Sequence, residues 1–259
     1  MATPTWSLIT VTFNSARTLT EYWRSFPTAP STEWIVVDNH SSDDSVATAK
    51  ALGARVISLN SNLGFGAANN IGFRESNGDF VAFVNPDVRV DVTDLPRLEH
   101  ELTKDPRSLV APQLVNHDGS LQPNGRGLPY LINKVRNRTT PDELLGSYLH
   151  FAEHGQIVPV DWLMGAVVAG RRAHLADLGP WDERFFVYYE DSDLGLRNAR
   201  IGGTSKILGD ARWQHGWARE TTAPSLSAWR RELPSMMKFY SRYPRLLGRP
   251  RTRSQGGRP

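Results

Sequence analysis

The chain has 259 residues, a formal net charge of +3 and no cysteine. Disulfides, thiolate metal sites and a cysteine nucleophile are therefore excluded, and any metal must be held by carboxylates, histidines or oxygen atoms of a substrate. Hydrophobic residues make up 39% of the sequence, as in a folded globular protein. No apolar run is long enough to span a membrane, and Met1–Trp6 does not resemble a secretion signal, so we expect a cytoplasmic protein.

Strands and helices alternate through the first 112 residues. Runs rich in β-branched and aromatic residues predict strands over 6–13, 33–37, 55–59 and 79–84, and the segments between them predict helices over 16–25, 44–52 and 66–76. Short apolar strands separated by helices indicate a mostly parallel sheet with helices on its faces. The predicted fold class is therefore α/β and Rossmann-like, with ligands bound at the carboxyl ends of the strands.

Three polar clusters follow predicted strands directly. They are Thr12-Phe13-Asn14-Ser15, the segment 38–43 with sequence Asp-Asn-His-Ser-Ser-Asp, and Asn85-Pro86-Asp87. Each cluster taken singly also suits a turn or a helix cap. Their recurrence at successive strand ends favours a ligand site at that edge of the sheet.

The stretch from Asn62 to Gly72 is rich in glycine and begins like a dinucleotide-binding fingerprint. Asn69, however, occupies the position of the third glycine, and the stretch follows the third predicted strand rather than the first. These departures argue against NAD. The start of a helix made of small residues still suits a diphosphate, because its free N–H groups attract anions.

The second half of the sequence is less regular. Residues 113–157 lack clear periodicity, which is typical of a functional loop or lid. An aromatic run over 181–189 leads into Glu190-Asp191, and a helix is predicted from about Ser192 to Arg200. A final amphipathic helix is expected over 225–243, with a kink or a break at Pro234.

The C-terminal segment from Arg242 to Pro259 contains six arginines and no acidic residue. Its composition suits a disordered, solvated terminus. It also suits peripheral contact with anionic lipid at the inner face of the cell membrane, whereas we do not expect a nucleic-acid partner.

Five motifs in order resemble the family 2 inverting glycosyltransferases of GT-A fold, most closely their bacterial rhamnosyltransferase-like branch. The motifs are Val11-Thr12-Phe13-Asn14, residues 36–43, residues 62–72, Asn85-Pro86-Asp87 and residues 185–197. The resemblance implies a nucleotide-sugar-binding half over 1–112 and an acceptor-binding, catalytic half over 113–220. A C-terminal helix over 221–243 and a basic tail over 244–259 complete the predicted organisation.

The resemblance implies a nucleotide-sugar donor with a pyrimidine base. Asp38 would accept a hydrogen bond from N3–H of uracil or thymine, a role that suits a carboxylate. Alternatives remain: Asp38 also suits a turn, and Asn69 also suits capping or packing. The residues assigned to the nucleotide are Thr12, Asn14, Asp38, Asn62, Asn69, Asn85 and Asp87.

The resemblance also implies a divalent cation, Mg²⁺ or Mn²⁺, held by Asp87 against the donor diphosphate. The sequence departs here from the Asp-x-Asp motif, since Asn85 takes the first position and leaves one carboxylate. His215 matches a position that supplies a second ligand in relatives, although a lone histidine is more often structural.

Asp191 is the candidate catalytic base, because inversion requires a carboxylate to take the proton of the attacking acceptor hydroxyl. Glu190 would assist it or orient the acceptor. Asp191-Ser192-Asp193 also suits a metal-binding motif or a helix cap. Weaker candidates for contact with the acceptor or the diphosphate are Trp162, Gly165, Trp181, Arg171, Arg172 and Arg197, for which buried packing or a solvated helix face is the alternative.

The expected reaction is inverting transfer of a hexosyl or 6-deoxyhexosyl group, with L-rhamnose from a dTDP donor as the leading candidate. The expected acceptor is a saccharide, carried on a polyprenyl diphosphate. The alternative within this enzyme class is a UDP-hexose-dependent transferase that acts on another glycan or a small natural product. The alternative from another class is a non-catalytic protein that binds a nucleotide or a carbohydrate, in which no catalytic carboxylate would be needed.

Overall fold

The computed structural model describes residues 5–27, 31–139, 145–146, 148–216 and 226–248. Its first part alternates as the sequence predicts. The strands β1 to β4 span Trp6–Thr12, Thr32–Asp38, Arg55–Ser58 and Phe80–Val84, and the helices α1 to α3 between them span Ala16–Trp23, Ser45–Ala51 and Phe65–Glu75. The predicted α/β class is confirmed.

The later elements are more varied, and several are short. The strands are β5 (Val88–Arg89), β6 (Ser108–Val115), β7 (Gly125–Arg126), β8 (Leu149–His150), β9 (Ile157–Val160), β10 (Trp162–Leu163), β11 (Val167–Arg171) and β12 (Thr204–His215). The helices are α4 (Leu95–Lys104), α5 (Leu131–Thr139), α6 (Arg172–Leu178), α7 (Glu190–Arg200) and α8 (Leu226–Arg242), with 3-10 turns at Val92–Asp94 and Pro244–Leu247.

Within the described residues, one nine-stranded sheet organises the molecule in the order β3-β2-β1-β4-β11-β6-β12-β5, with β9 paired to the first half of β12. The strands β1, β2, β3, β4, β6 and β12 run in one direction, and β5, β9 and β11 run against them. The parallel strands therefore place their carboxyl ends at a common edge, which we call the C-terminal edge. The sheet is continuous across residue 112.

Both faces of the sheet are buried, because successive strand residues point to opposite sides. Leu8 packs in one core with Trp23 and Trp34, whose rings stack with centroids 4.3 Å apart. The next residue, Ile9, packs in the opposite core with Phe83 and Trp181. Burial of such side chains stabilises the fold by about 1.5–3 kcal/mol each.

The structure differs from the sequence-based expectation in the second half. Residues 113–157, expected to be a loop or lid, contain α5 and the small β7–β8 pair. Helix α8 continues through Pro234, so, of the expected kink or break, the break does not occur. Helix α7 begins at Glu190, two residues before the expected start, and Leu246 of the last 3-10 turn is buried.

None of the helices in the described ranges combines the length and the apolar character needed to cross a bilayer.

Candidate active site

The C-terminal edge gathers the polar groups that follow the parallel strands. Asn85 N–H donates to the Ala166 carbonyl at 2.9 Å, so the turn after β4 is joined to the start of β11. The adjacent Gly165 N–H donates to Asp191 Oδ2 at 3.4 Å. A short series of contacts therefore connects the candidate metal turn to the candidate base on α7.

Asp38 is buried at the end of β2 and is held by two donors. Its carboxylate accepts from the Thr12 hydroxyl at 3.0 Å and from the Ser41 N–H at 2.9 Å. The bond from Ser41 fits the turn role that the sequence left open for Asp38. A carboxylate has about four acceptor positions, so this turn still leaves capacity for a ring N–H.

Asn14 joins the loops that follow β1 and β2. Its N–H donates to Ser41 Oγ at 2.8 Å, and its Oδ1 accepts from the Ser42 N–H at 2.8 Å. Its backbone has a φ of +53°, a conformation that asparagine tolerates better than most residues. Asn14 therefore holds the loops after β1 and β2 together beside Thr12 and Asp38.

Asn39 is a site-forming residue to which the sequence analysis gave no role of its own. Its side chain donates to Asn62 Oδ1 at 2.8 Å and accepts from the Leu63 N–H at 2.8 Å. Asn62 Oδ1 also accepts from the Gly64 N–H at 3.0 Å. The two asparagines thereby position the start of α3 beside β2.

Gly64 must be glycine for two reasons. Its φ is +88°, and a Cβ there would lie 2.4 Å from the Phe186 carbonyl oxygen. The close approach also lets the Phe65 N–H bond to that carbonyl, which ties α3 to the aromatic run before α7. Asn69 lies one helical turn after Phe65 and is buried. Its side-chain amide donates to the Phe65 carbonyl of the same helix, which favours the packing role over contact with the nucleotide.

Asp87 and His215 face each other because β12 pairs with β5. The register places His215 opposite Val88, and His215 Nε2 lies 3.5 Å from Asp87 Oδ2. The Gly216 N–H also donates to the Asp87 carbonyl at 2.8 Å. The structure therefore brings these two residues together from distant parts of the chain.

Gln122 orients the His215 ring. Its Nε2 donates to Asn116 Oδ1 at 2.6 Å and to the His215 carbonyl at 3.0 Å, so its Oε1 is left to accept from His215 Nδ1 at 2.8 Å. That bond selects the tautomer whose Nε2 lone pair points to Asp87. Such support behind a histidine is typical of metal ligands.

Asp87 and His215 offer a carboxylate oxygen and an imidazole nitrogen, both of which are donor atoms that divalent cations accept. No group of three or more histidine or acidic side chains suited to a metal occurs in the described part of the chain. A cation held by Asp87 and His215 alone would need further ligands, and hard cations such as Mg²⁺ are commonly shared with substrate phosphates.

Glu190 and Asp191 are adjacent but lie in different environments. Asp191 is half-buried, and it accepts from the Ser192 N–H at 2.7 Å as well as from Gly165. Glu190 is buried, and its Oε2 has no hydrogen-bond partner among the described residues. Burial, reinforced by the charge of Asp191, raises the pKa of Glu190 to about 8. Burial therefore favours the protonated form of Glu190 far more than in an exposed glutamate.

Lys134 of α5 is a second residue that the sequence analysis missed. Its ammonium donates to Ser192 Oγ at 2.9 Å and lies 4.2 Å from the ring centroid of Trp162 and 4.6 Å from that of Tyr189. Aromatic faces attract cations, so the two rings hold this charge at the start of α7. No motif could identify it, since it lies in the irregular segment 113–157.

The stability of the protein should depend on pH through Glu190. An unfolded glutamate ionises near 4.5, whereas the folded pKa is about 8, so unfolding releases a proton between these values and stability falls as pH rises through that window. The glutamine of Glu190→Gln stays neutral at every pH. Between about pH 5 and about pH 9, we therefore expect the free energy of unfolding to fall by on the order of 1–3 kcal/mol less in this variant than in the wild type.

Denaturant unfolding at both pH values measures this difference. Replacement of the exposed Glu153 by Gln is the control and should follow the wild type. Parallel pH profiles for the wild type and Glu190→Gln would contradict the assignment of the bound proton.

The weaker acceptor and diphosphate candidates have structural contacts. Trp162 is buried and donates to the Gly127 carbonyl at 2.8 Å, and Trp181 packs edge-on against Phe83. Arg197 pairs with buried Asp193 at 2.7 Å and donates to the carbonyls of residues 178, 179 and 180. These contacts favour the packing alternative for both tryptophans, and Arg197 anchors α7 to the loop before it.

Arg171 and Arg172 lie where β11 meets α6. Their guanidinium groups lie 5.6 Å from the Phe80 ring and 4.9 Å from the Phe73 ring, respectively. The Arg172 N–H also donates to the Asp79 carbonyl at 2.8 Å, at the amino end of β4. Both arginines therefore lie at the end of the sheet opposite to the C-terminal edge.

Solved structures with a similar fold are glycosyltransferases. The chain superposes on GalNAc-T7 with UDP, GalNAc and Mn²⁺ with a TM-score of 0.63 at 17% identity, covering 96% of this chain and 52% of the other, so it spans about half the length of that protein. It superposes on the mannosyltransferase PcManGT of Pyrobaculum calidifontis, with GDP-Man and Mn²⁺, with a TM-score of 0.61 at 17% identity, covering 95% and 65%. The expected GT-A fold is confirmed.

Curated relatives also include glycosyltransferases. An N-acetylglucosaminyl-diphospho-decaprenol L-rhamnosyltransferase of Mycobacterium tuberculosis is 29% identical over 206 residues, which cover 72% of this chain and 67% of the relative. The hexosyltransferase Agl10 of Haloferax volcanii, which acts in low-salt glycan biosynthesis, is 27% identical over 180 residues, covering 65% and 53%. The family model described as glycosyl transferase family 2 matches residues 7–164, which is more than half of the sequence, and the chain therefore belongs to glycosyl transferase family 2.

Proposed function

We propose that the protein transfers a 6-deoxyhexosyl group, L-rhamnose from a dTDP donor, to a saccharide acceptor with inversion at the anomeric carbon. The observation that carries the proposal is the connection between Asn85 and Asp191 through Gly165 and Ala166. It places the proposed donor turn and a half-buried carboxylate within a short series of hydrogen-bonded residues. A non-catalytic binding protein would not need that carboxylate.

The donor side of the proposal rests on Asp38 and its neighbours. Asp38 lies at the carboxyl end of β2, a parallel strand between β1 and β3, and α/β sheets bind nucleotides at such strand ends. Thr12 donates to its carboxylate, and Asn14 and the Asn39–Asn62 pair add amide groups on the adjoining loops. We propose that Asp38 accepts N3–H of thymine or uracil, with the ribose and diphosphate directed toward Asn85 and Asp87.

The acceptor side rests on the curated relative from Mycobacterium tuberculosis, whose name specifies a rhamnosyl transfer to N-acetylglucosaminyl-diphospho-decaprenol. We extend the acceptor class to this chain: a saccharide carried on a polyprenyl diphosphate. A cytoplasmic enzyme that works at the inner face of the membrane would meet such an acceptor.

In the proposed mechanism, Asp191 removes the proton from the acceptor hydroxyl as that oxygen attacks the anomeric carbon. The N–H groups of Gly165 and Ser192 orient its carboxylate, and the raised pKa of buried Glu190 disfavours a second negative charge beside it. Asp87 and His215 would hold a divalent cation, and this cation would neutralise the charge that develops on the leaving diphosphate.

A panel of dTDP-, UDP- and GDP-sugars, with nucleotide release and the anomeric configuration of the product as readouts, tests the proposal. We expect dTDP-L-rhamnose to be preferred and Asp38→Asn to raise KM for it by about 10- to 100-fold, because the charged acceptor for the base is lost. Asparagine can keep the Ser41 bond and donate to the Thr12 hydroxyl, so folding should persist.

The outcomes of this panel separate the candidate functions. Preferred turnover of UDP-hexoses would favour the alternative glycosyltransferase, and preferred GDP-mannose would refute the pyrimidine role of Asp38. Donor binding without turnover, across acceptors of several classes, would favour the non-catalytic alternative.

A further inference from the structure

Two neighbouring helices expose large apolar side chains that the proposed chemistry does not use. On and just before α5 these are Leu128, Ile132 and Val135, and on α8 they are Leu233 and Met237. Ile132 is 43% exposed and Met237 is 61% exposed. We call these five residues the α5–α8 patch.

The segment just before α5 is in contact with α8. The Tyr240 hydroxyl of α8 donates to the Pro129 carbonyl just before α5 at 3.0 Å. Leu131 of α5 and Met236 of α8 pack against the same buried aromatic cluster. Val135 lies one helical turn after Leu131, and Met237 lies three residues before Tyr240. Each exposed side chain therefore lies close to a residue of its own helix that packs in or against this aromatic cluster.

Charge on the two helices has one dominant sign. Helix α5 carries three basic residues and no acidic residue, and α8 carries four basic residues and one acidic residue, Glu232, which is buried. Arg136 and Lys238 lie on exposed positions beside the patch. Exposed apolar side chains flanked by cations such as Arg136 and Lys238 are complementary to a surface of anionic lipid headgroups over hydrocarbon.

The patch also lies close to the candidate active site. Helix α5 exposes Ile132 and Val135, and with Lys134 it contacts Ser192, the residue that follows Asp191. A lipid surface on the patch would therefore lie near the start of α7, where the acceptor hydroxyl must reach the base.

We infer that the α5–α8 patch docks the protein on an anionic lipid bilayer, with Leu128, Ile132, Val135, Leu233 and Met237 inserted among the headgroups. The inference deepens the proposed function and rests on it for the acceptor that the bilayer would present. Binding itself requires no acceptor, so it can be measured separately.

Co-sedimentation with vesicles of equal parts phosphatidylglycerol and phosphatidylcholine tests the inference on the full chain. The double variant Ile132→Ser, Met237→Ser removes apolar contact without adding charge, and we expect it to weaken partitioning by about tenfold. Ile157→Ser with Ile201→Ser is the matched control, since these isoleucines are 50% and 45% exposed on β9 and after α7. The control should bind as the wild type does.

A third variant separates the patch from the basic C-terminal segment. Replacing Arg249, Arg251 and Arg253 by glutamine should lower binding only in part, because the apolar contacts remain. Loss of binding in this variant, with wild-type binding in the patch variant, would overturn the inference. So would a wild-type protein that does not sediment with the anionic vesicles.

Nucleotide release in solution is the second readout. If the patch variant loses vesicle binding but keeps nucleotide release, the docking surface and the proposed function both stand. If the wild type releases no nucleotide while vesicle binding still depends on the patch, the proposed function fails and the docking surface stands.

Discussion

Replacing Asp191 with asparagine is expected to lower kcat for glycosyl transfer by about 10²- to 10⁴-fold, the range for loss of a positioned general base. Asparagine is almost the same size, and its oxygen can still accept from the N–H groups of Gly165 and Ser192 that hold the carboxylate. It cannot take the acceptor proton. Folding and donor affinity should therefore remain near those of the wild type.

Single-turnover transfer with a saturating donor measures the chemical step, and titration of the donor measures its affinity. Asp177→Asn, an exposed change on α6, is the control and should leave both unchanged. Full transfer by Asp191→Asn would remove the base assignment. If Glu190→Gln then abolished transfer, the base would be assigned to Glu190.

Removal of divalent cations is expected to lower turnover by at least about 10²-fold, because the charge on the leaving diphosphate would lose its main counterion. Addition of Mg²⁺ or Mn²⁺ should restore the wild type. Asp87→Asn should not be restored at the same cation concentration, since an amide binds a hard cation more weakly than a carboxylate does.

The histidine ligand can be tested in the same titration. His215→Gln is expected to raise the cation concentration needed for half-maximal turnover by about 10- to 100-fold. His154→Gln is the control, because His154 is largely exposed and pairs with Asp210 on another part of the surface. Unchanged turnover in EDTA would exclude the metal role of Asp87 and His215 together.

The parallel half of the fold can be predicted from the local pattern of apolar and polar residues. Leu8 and Ile9, or Val36 and Val37, are apolar on both faces of their strands because helices cover both sides of the sheet. A polar residue directly after such a strand, such as Asp38, marks its carboxyl end. Parallel strands share that end, so the position of the candidate site follows from sequence order and helix crossovers.

The second half is harder to read because its elements are stabilised by distant partners. Helix α5 has asparagine and basic residues throughout, and it packs by placing Leu131 against the aromatic cluster that includes Phe239. Strand β12 pairs with β9, β6 and β5, which lie far from it in sequence. No local signal predicts such pairings.

The sequence by itself determined the family, the α/β class and the identity of the polar residues at the strand ends, because these depend on local periodicity and on motifs of adjacent residues. The resemblance already associated His215 with Asp87, but only the tertiary structure decided the strand pairing that brings them within 3.5 Å, that Lys134 reaches the start of α7 and that Trp162 is buried. The difference in burial between Glu190 and Asp191 was also decided by the tertiary structure. Two carboxylates adjacent in sequence are chemically alike until burial separates them, and burial is set by the packing of the whole chain.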